Sequence, residues 1–294
     1  MPDATLAVIG GSGFYQMEGL EQIEQCSIST PYGDPSDTIT IGTLAGRRVA
    51  FLPRHGAGHR LLPSELPQRA NVYALKLLGV ERIIAISAVG SLRGEIRPLD
   101  LVIPDQLIDR TKDRPSTFFG DGLVAHIAFA DPFCPQMRSL LGECARDSGA
   151  TTHAGGIYVV MEGPAFSTRA ESSLYRSWGA SLIGMTALPE AKLAREAEIC
   201  YAAVACATDY DCWHETEESV SADLILNNLR RNVEISKQIV RLAVERLPDK
   251  RRCGCGDSLG GALITAPEHV PAATRERLWP LVRRYFEPAE VHQT

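Results

Sequence analysis

The sequence predicts an α/β protein in which helices flank a mixed, twisted central β-sheet within a single domain. Apolar runs at residues 6–9, 82–87 and 199–206 have the length and composition of strands that are buried on both faces. Amphipathic stretches between these runs show helical periodicity. Small or polar residues follow several strand ends, which is where open α/β sheets bind their ligands.

The other elements follow from the same patterns, taken in chain order. Strands are predicted at residues 38–44, 48–52, 101–104, 156–161 and 182–185, and helices at 69–75, 135–148, 189–198, 221–247 and 272–286. Ser64 is expected to cap the first helix, whereas Ser167 or Thr168, with Glu171, caps a helix that begins at Arg169. The polar stretch 109–125 is expected to be a functional or interface loop.

Composition excludes several classes of protein. The chain has 294 residues, of which 45% are hydrophobic and 22% charged, as in a globular protein. A net charge of −6 disfavours nucleic-acid binding, which needs a basic face. We find no apolar run long enough for a membrane span and no signal peptide. The eight cysteines are scattered and often lie in apolar runs, so we expect reduced thiols in a cytoplasmic protein.

Two carboxylates follow the apolar run 199–206, in the sequence ATDYDCW. If the chain stays extended there, Asp209 and Asp211 project to the same side. A close pair of this kind titrates unequally, so that one carboxyl can donate a proton while the other accepts a hydrogen bond. The same pattern could bind a metal or cap a helix. No histidine or cysteine spacing nearby completes a ligand set, so no metal site is predicted.

Two loops that follow predicted strands have residues suited to binding an anion. Gly10-Gly11-Ser12-Gly13 can turn its N–H groups towards a phosphate, although Gln16 replaces the third small residue of a dinucleotide fingerprint. A plain tight turn is the alternative. Arg54 and His55, in PRHGAGH, supply further donors after another strand. Strand ends also carry Ser87-Ala88, Met185-Thr186 and Thr208, and Phe166 either stacks on an aromatic ligand or packs in the core.

Taken together, the motifs of this chain resemble a known family. They are GGSGF, PRHGAGH, SAVGSL, DPFCP, MEGPAFSTRAES, GMTALPEAKLAREAEICYA and ATDYDCWHE, in this order between about Leu6 and about Leu247. The chain is similar to the 5′-methylthioadenosine phosphorylases of the trimeric purine nucleoside phosphorylase family. The resemblance implies the nucleoside phosphorylase fold over residues 1–247, and leaves residues 248–294 as an extension, with a terminal helix, that packs on the same domain.

The resemblance also implies a reaction and a role for each matching residue. The reaction is phosphorolysis of 5′-methylthioadenosine to adenine and 5-methylthioribose 1-phosphate, with inorganic phosphate as co-substrate and no cofactor. The implied phosphate ligands are Ser12, Arg54, His55, Ser87, Ala88 and Thr186, while Phe166, Met185 and Thr208 contact the base or ribose. Asp209 protonates purine N7 and Asp211 accepts from the 6-amino group. His126 reaches the 5′ end from a neighbouring subunit, and Ala222, Ile225 and Leu226 line the 5′-methylthio pocket.

Other functions compete with this one. A phosphorylase of methylthioinosine or of general purine nucleosides would differ only in its base and 5′-group preference; related 6-oxopurine enzymes carry Asn at the first position of the Asp pair. A nucleoside-binding module without turnover would need no general acid. The family implies a homotrimer or a dimer of trimers. Cys253-Gly254-Cys255 resembles a C-x-C of microbial members in which disulfides and hexamers occur, although we expect two free thiols in a reducing cytosol.

Overall fold

A computed structural model describes residues 4–11, 17–214 and 222–287, apart from the side chains of residues 222–227, 229 and 230. The strands of the described chain are β1 Leu6–Gly10, β2 Glu21–Cys26, β3 Ile39–Leu44, β4 Arg47–Pro53, β5 Arg82–Ser91, β6 Leu101–Ile103, β7 Gln106–Arg110, β8 Thr152–Ala154, β9 Ile157–Met161, β10 Leu182–Gly184 and β11 Cys200–Asp209. Its α-helices are α1 Gln68–Leu77, α2 Pro135–Asp147, α3 Arg169–Ser177, α4 Ala187–Glu196, α5 Ala222–Arg246 and α6 Ala272–Phe286.

These strands form one mixed sheet, which confirms the predicted α/β fold. At its centre, β1 runs parallel to β4 and β5, so that Val8 pairs with Phe51 on one side and Ile84 on the other. Strand β11 lies parallel to β5 on its other side. The edges include antiparallel pairs such as β2–β3 and β3–β4. Because the four central strands are parallel, their carboxyl ends meet at one edge of the sheet.

Helices cover both faces of the sheet, and the alternation of strand side chains divides the core between them. Ala7 and Ile9 of β1 face a cluster that includes residues of α1, α4 and α6. Leu6 and Val8 face a second cluster, which includes residues of α2 and α5. A strand covered on both faces has no solvated side, which explains why its sequence is a continuous apolar run.

The long strand β5 changes partners along its length. It pairs with β1 only as far as Ala85, and its last two residues, Gly90 and Ser91, pair antiparallel with β10. Its other side follows β11 until the register shifts between Ala207 and Asp209. A bulge of this kind re-aims the side chains at a strand end. The sheet therefore divides beside residues 86–89, at the edge where the central strands end.

Several sequence-based expectations need correction. Ser64 does not cap α1, because its N-cap is Pro67 and no side chain caps it. Strand β2 was missed because its side chains are almost all exposed, and β8 because it has only 3 residues. The stretch 109–125 begins within β7, which continues to Arg110. The capping box of Thr168 and Glu171 on α3 is confirmed.

After α5, the chain packs against earlier parts of the fold and ends in α6. The Tyr73 hydroxyl donates to the Arg277 carbonyl at 2.7 Å, and Arg284 pairs with Glu198 at 2.6 Å. The boundary between a catalytic domain of residues 1–247 and an extension of residues 248–294 stays a prediction. Among the described residues, none of the helices combines the length and the apolar character needed to cross a bilayer.

Candidate active site

A cavity of about 240 Å³ opens where β5 changes partners, at the carboxyl edge of the central strands. Strand ends and the loops that follow them supply most of its walls. Ten of the residues predicted from the sequence line it: Arg54, His55, Ser87, Ala88, Phe166, Met185, Thr186, Thr208, Asp209 and Asp211. The fold therefore brings together residues that lie up to 157 positions apart, from 54 to 211.

The two aspartates meet through a turn and not through an extended strand. Strand β11 ends at Asp209, and Asp211 has a left-handed backbone conformation with φ of 52°. The Asp211 N–H donates to Asp209 Oδ1 at 2.8 Å, and the Thr208 hydroxyl donates to Asp209 Oδ2 at 2.7 Å. The expectation that strand alternation aligns the pair was therefore wrong, although both side chains line the cavity.

Burial raises the pKa of both carboxyls. Asp209 is 6% exposed and Asp211 8% exposed, so each loses hydration that would stabilise its charge. For Asp209, burial raises the pKa most, the Thr208 hydroxyl and the Asp211 N–H lower it, and the negative charge of Asp211 raises it further. For Asp211, burial again raises the pKa most, whereas the nearby hydroxyls of Ser172 and Ser167 lower it. A proton donor is therefore more available here than at an exposed aspartate.

Neighbouring residues hold the aspartate turn in place. A Cβ atom on Gly90 would lie 3.0 Å from Asp209 Oδ1 and 3.4 Å from Asp211 Cβ, so a larger residue here would require the aspartate side chains to shift. On the far side, the Asn228 amide donates to the Thr208 carbonyl at 2.7 Å and ties α5 to the end of β11. The Trp213 indole donates to the Ser91 carbonyl at 2.8 Å.

Arg54 lies at the cavity wall, but much of its guanidinium is bound to the protein. Its Nε donates to Glu190 Oε1 at 2.5 Å and its Nη2 to Glu190 Oε2 at 3.2 Å, while Nη1 donates to the Ile86 carbonyl at 2.7 Å. Burial alone would lower the pKa of Arg54, but the charge and hydrogen bonds of Glu190 outweigh it and raise the pKa. The guanidinium expected to bind phosphate is therefore paired with a carboxylate.

His55 is a neutral imidazole at pH 7, because burial lowers its pKa to about 4. Its Nδ1 lies 2.8 Å from the Leu61 carbonyl, which can only accept, so Nδ1 carries the hydrogen. The ring stacks on His59 with centroids 4.1 Å apart. This leaves Nε2 as a hydrogen-bond acceptor, and not the donor that the sequence suggested. It can bind a protonated phosphate oxygen, or an anion after the ring takes up a proton.

Two hydroxyls complete the polar wall near Arg54. Ser87 Oγ and Thr186 Oγ1 lie 3.0 Å apart, and both residues are buried. Thr186 occupies the N-cap position of α4 without capping it, so its hydroxyl stays available to the cavity. Hydroxyls donate and accept, which suits the mixed protonation states of phosphate at neutral pH.

The rest of the wall is apolar. Met161, Ile183, Met185 and Val233 line the cavity together with Phe166. Phe166 remains 46% exposed, so it does not belong to the core, and the stacking interpretation suits it better than core packing. Methionines adapt their shape to a ligand at little energetic cost.

The remaining predicted residues lie elsewhere. His126 is exposed and does not line the cavity of its own chain; its backbone N–H donates to the Ala262 carbonyl at 2.9 Å. Ser12 lies outside the described residues, although its neighbour Gly11 lines the cavity. Ala222, Ile225 and Leu226 fall in the first turns of α5, where side chains are outside the described part.

Sequence reasoning missed Glu190, Gly90 and Asn228. Glu190 is fully buried and also accepts from the Tyr201 hydroxyl at 2.9 Å. Its position in an otherwise apolar stretch, TALPEA, was the one available signal, since a buried carboxylate needs a partner. Gly90 and Asn228 act through close approach and a single hydrogen bond, for which the sequence carries no pattern.

Comparison with known proteins agrees with this geometry. The family model of the phosphorylase superfamily matches residues 5–245. The chain is 58% identical, over 97% of either chain, to an S-methyl-5′-thioadenosine phosphorylase of Gloeobacter violaceus. It is 56% identical to one of Geobacter sulfurreducens, over 96% of this chain and 99% of that one.

The chain is also similar to solved structures of methylthioadenosine phosphorylases. A methylthioadenosine phosphorylase from an antarctic soil metagenomic library superposes with a TM-score of 0.92 at 51% identity, over 96% of this chain and 99% of that one. An adenosine/methylthioadenosine phosphorylase mutant of Schistosoma mansoni in complex with adenine has a TM-score of 0.81 at 37% identity, over 85% of this chain and 93% of that one. From its sequence and its fold alike, the chain belongs to the phosphorylase superfamily.

Proposed function

We propose that this chain catalyses the phosphorolysis of 5′-methylthioadenosine, giving adenine and 5-methylthioribose 1-phosphate. The observation that carries the proposal is one cavity with two buried, easily protonated carboxyls and a separate group of hydroxyls beside Arg54. Arg54 contacts the Ile86 carbonyl and Asp209 lies against Gly90. Ile86 and Gly90 are four residues apart on β5, which corresponds to about 13 Å of extended strand. That length accommodates a phosphate, a pentose and a purine in a row.

In this arrangement, phosphate binds beside Ser87, Ala88 and Thr186, with Arg54, His55 and the Ser12 loop around it. A phosphate oxygen attacks C1′ of the ribose while the C1′–N9 bond breaks, and the electron pair of that bond passes to the purine. The sugar develops positive charge, which the phosphate anion stabilises. Asp209 donates its proton to N7, so adenine leaves as a neutral base. Apart from phosphate as co-substrate, the reaction needs no cofactor.

The preference for adenine is assigned to Asp211. As a carboxylate it accepts a hydrogen bond from a 6-amino group but faces the lone pairs of a 6-oxo group. An unpaired buried polar group costs about 1–3 kcal/mol, which corresponds to roughly tenfold to a hundredfold selectivity. Met185 and Phe166 contact ribose and base, with Thr208 behind Asp209. The 5′-methylthio group extends towards the start of α5, where Ala222, Ile225 and Leu226 are its proposed neighbours.

Release of the free purine base, adenine or hypoxanthine, measured with and without phosphate, tests this function. Methylthioadenosine, methylthioinosine, adenosine and inosine form the substrate panel. We expect phosphate-dependent release that is fastest with methylthioadenosine. If the base is released at the same rate without phosphate, water is the nucleophile and the proposed anion site is refuted. A preference for the 6-oxo compounds would instead leave phosphorolysis in place and refute the role of Asp211.

We further infer that the active form is a cytoplasmic homo-oligomer, a trimer or a dimer of trimers. His126 is exposed and lies away from its own cavity, as a residue donated to a neighbouring site would. Mixing two impaired variants, His126→Ala and Asp209→Asn, tests this. In a mixed oligomer, a His126→Ala subunit keeps its own Asp209 and can receive His126 from its neighbour, so we expect activity to recover. No recovery after subunit exchange would refute the shared site.

A further inference from the structure

Four cysteines that are far apart in the sequence meet on the side of the fold where β11 begins. Cys134 is the N-cap of α2, Cys200 is the first residue of β11, and Cys253 and Cys255 flank Gly254 at a short 3₁₀ helix. Their four Sγ atoms all lie within 4.8 Å of one another. The C-x-C pair, for which the sequence predicted two free thiols, therefore belongs to a larger cluster of free cysteines.

The spacing of the sulfurs matches a shared ligand centre. In a tetrahedral zinc site with Zn–S bonds of about 2.3 Å, neighbouring sulfurs are about 3.8 Å apart. Cys200 Sγ and Cys253 Sγ are 3.4 Å apart, and no pair in the cluster exceeds 4.8 Å. Two disulfides would require closeness only within each bonded pair. Here every sulfur is close to all three others, which is the property that four ligands of one ion share.

We propose that Cys134, Cys200, Cys253 and Cys255 form a structural metal site for a thiophilic ion, with zinc as the expected occupant. Four thiolates and no oxygen ligand favour zinc over magnesium or calcium. Three of the cysteines are buried and Cys253 is half-buried, so the site is closed, as structural zinc sites are. Binding converts the four thiols to thiolates and releases their protons to solvent.

The surroundings suit the resulting charge. A zinc ion with four thiolates carries two net negative charges, since +2 and −4 sum to −2. Cys134 stands at the N-terminus of the 13-residue helix α2, where the helix dipole stabilises a thiolate. The Arg251 guanidinium lies against Gly256, directly after Cys255, where a Cβ would be 2.8 Å from its Nη2, although it also pairs with Glu81 at 3.4 Å. Cys253 gives the ion a path from solvent.

Such an ion would fasten the C-terminal segment to the sheet without entering the chemistry. Asp209 lies nine residues along β11 from Cys200, which is about 30 Å of extended strand. Metal binding should therefore raise the stability of the fold and leave turnover by the intact enzyme nearly unchanged. This separates the proposal from the proposed function, because either can fail without the other.

The experiment measures metal on the full-length chain, purified with reductant and without chelator. We expect one zinc per chain by elemental analysis. Exchange for Co²⁺ under anaerobic, reducing conditions should give the thiolate-to-cobalt charge-transfer band and the visible bands of a tetrahedral tetrathiolate ion. The double variant Cys253→Ser/Cys255→Ser should lose both signals. A matched double variant outside the cluster, Cys26→Ser/Cys144→Ala, should keep them.

Three results would overturn the metal site. The first is a reduced wild-type chain that takes up neither zinc nor cobalt, whatever its variants do. The second is a Cys253→Ser/Cys255→Ser chain that binds metal as the wild type does. The third is stoichiometric metal whose cobalt spectrum lacks thiolate bands. If the chain instead holds its cysteines as disulfides, its unreduced mass will be lower by two hydrogens per bond, and failure to bind cobalt after reduction will refute the proposal.

Discussion

Replacing Asp209 with Asn removes the proposed proton donor and changes little else. Asp209 accepts hydrogen bonds from the Asp211 N–H at 2.8 Å and from the Thr208 hydroxyl at 2.7 Å. An Asn side chain can keep its oxygen on the Asp211 N–H and turn its NH₂ towards Thr208 Oγ1. The Thr208 hydrogen then moves to the Val89 carbonyl, which lies 3.2 Å away. No buried donor loses its partner, so we expect the free energy of unfolding to change by less than about 1 kcal/mol.

The effect on turnover should be much larger. General acid catalysis contributes about 10²–10⁴-fold, which corresponds to a barrier increase of about 3–5 kcal/mol when it is lost. The pH dependence gives a second signature. Because burial first, and then the charge of Asp211, raise the pKa of Asp209, its protonated form is present at low pH and is lost as pH rises through that raised value. Wild-type kcat/KM should therefore fall along this limb, whereas Asp209→Asn should lack it.

The assay is adenine release from methylthioadenosine at saturating phosphate, measured across the acid and neutral range. Asp34→Asn, at an exposed position, is the matched control and should behave as the wild type. Thermal unfolding of all three proteins checks that the fold is retained. If Asp209→Asn keeps more than about one tenth of wild-type kcat/KM, or the same alkaline limb, then Asp209 is not the general acid.

Three further changes probe the same cavity. Gly90→Ala places a Cβ 3.0 Å from Asp209 Oδ1, so we expect a loss in kcat/KM of roughly 10–100-fold with a small change in Tm, and an unchanged kcat/KM would contradict this. Burial raises the pKa of Asp211, so the fraction of its protonated form, which can donate to a 6-oxo group, increases as pH falls. The ratio of inosine to adenosine turnover should therefore rise at lower pH, and Asp211→Asn should abolish that dependence. Glu190→Gln leaves the buried Arg54 charge unpaired, which costs about 3–5 kcal/mol of stability, and saturating phosphate should restore part of the Tm.

The sequence predicts the sheet well because the central strands are buried on both faces. A strand such as β11, with every residue buried, must be a continuous apolar run, and such a run is visible without any tertiary information. Strand ends then mark the site, since parallel neighbours finish at one edge. Strand β2 carries no such signal, because it lies at the edge of the sheet with its side chains in solvent.

Contacts between distant residues could not be predicted in the same way. The left-handed conformation of Asp211 depends on the turn it enters, because aspartate tolerates this conformation but adopts it in only a minority of cases. Arg54 and Glu190 are 136 positions apart, and Cys134 and Cys253 are brought together by two separate elements. Each of these contacts depends on how helices and strands pack, which periodicity within one segment does not encode.

The pairing of Arg54 with Glu190 bears directly on how a phosphate could act here. Among the described residues at this wall, the charge of Arg54 is balanced by Glu190, and His55 is neutral at pH 7 because burial lowers its pKa to about 4. A phosphate would therefore be held mainly by hydrogen bonds and would keep most of its negative charge. That charge attracts the positive sugar of the transition state more than the neutral sugar of the substrate, which is the differential binding that lowers a barrier. A fully cationic site would bind phosphate more tightly and neutralise the charge that the reaction uses.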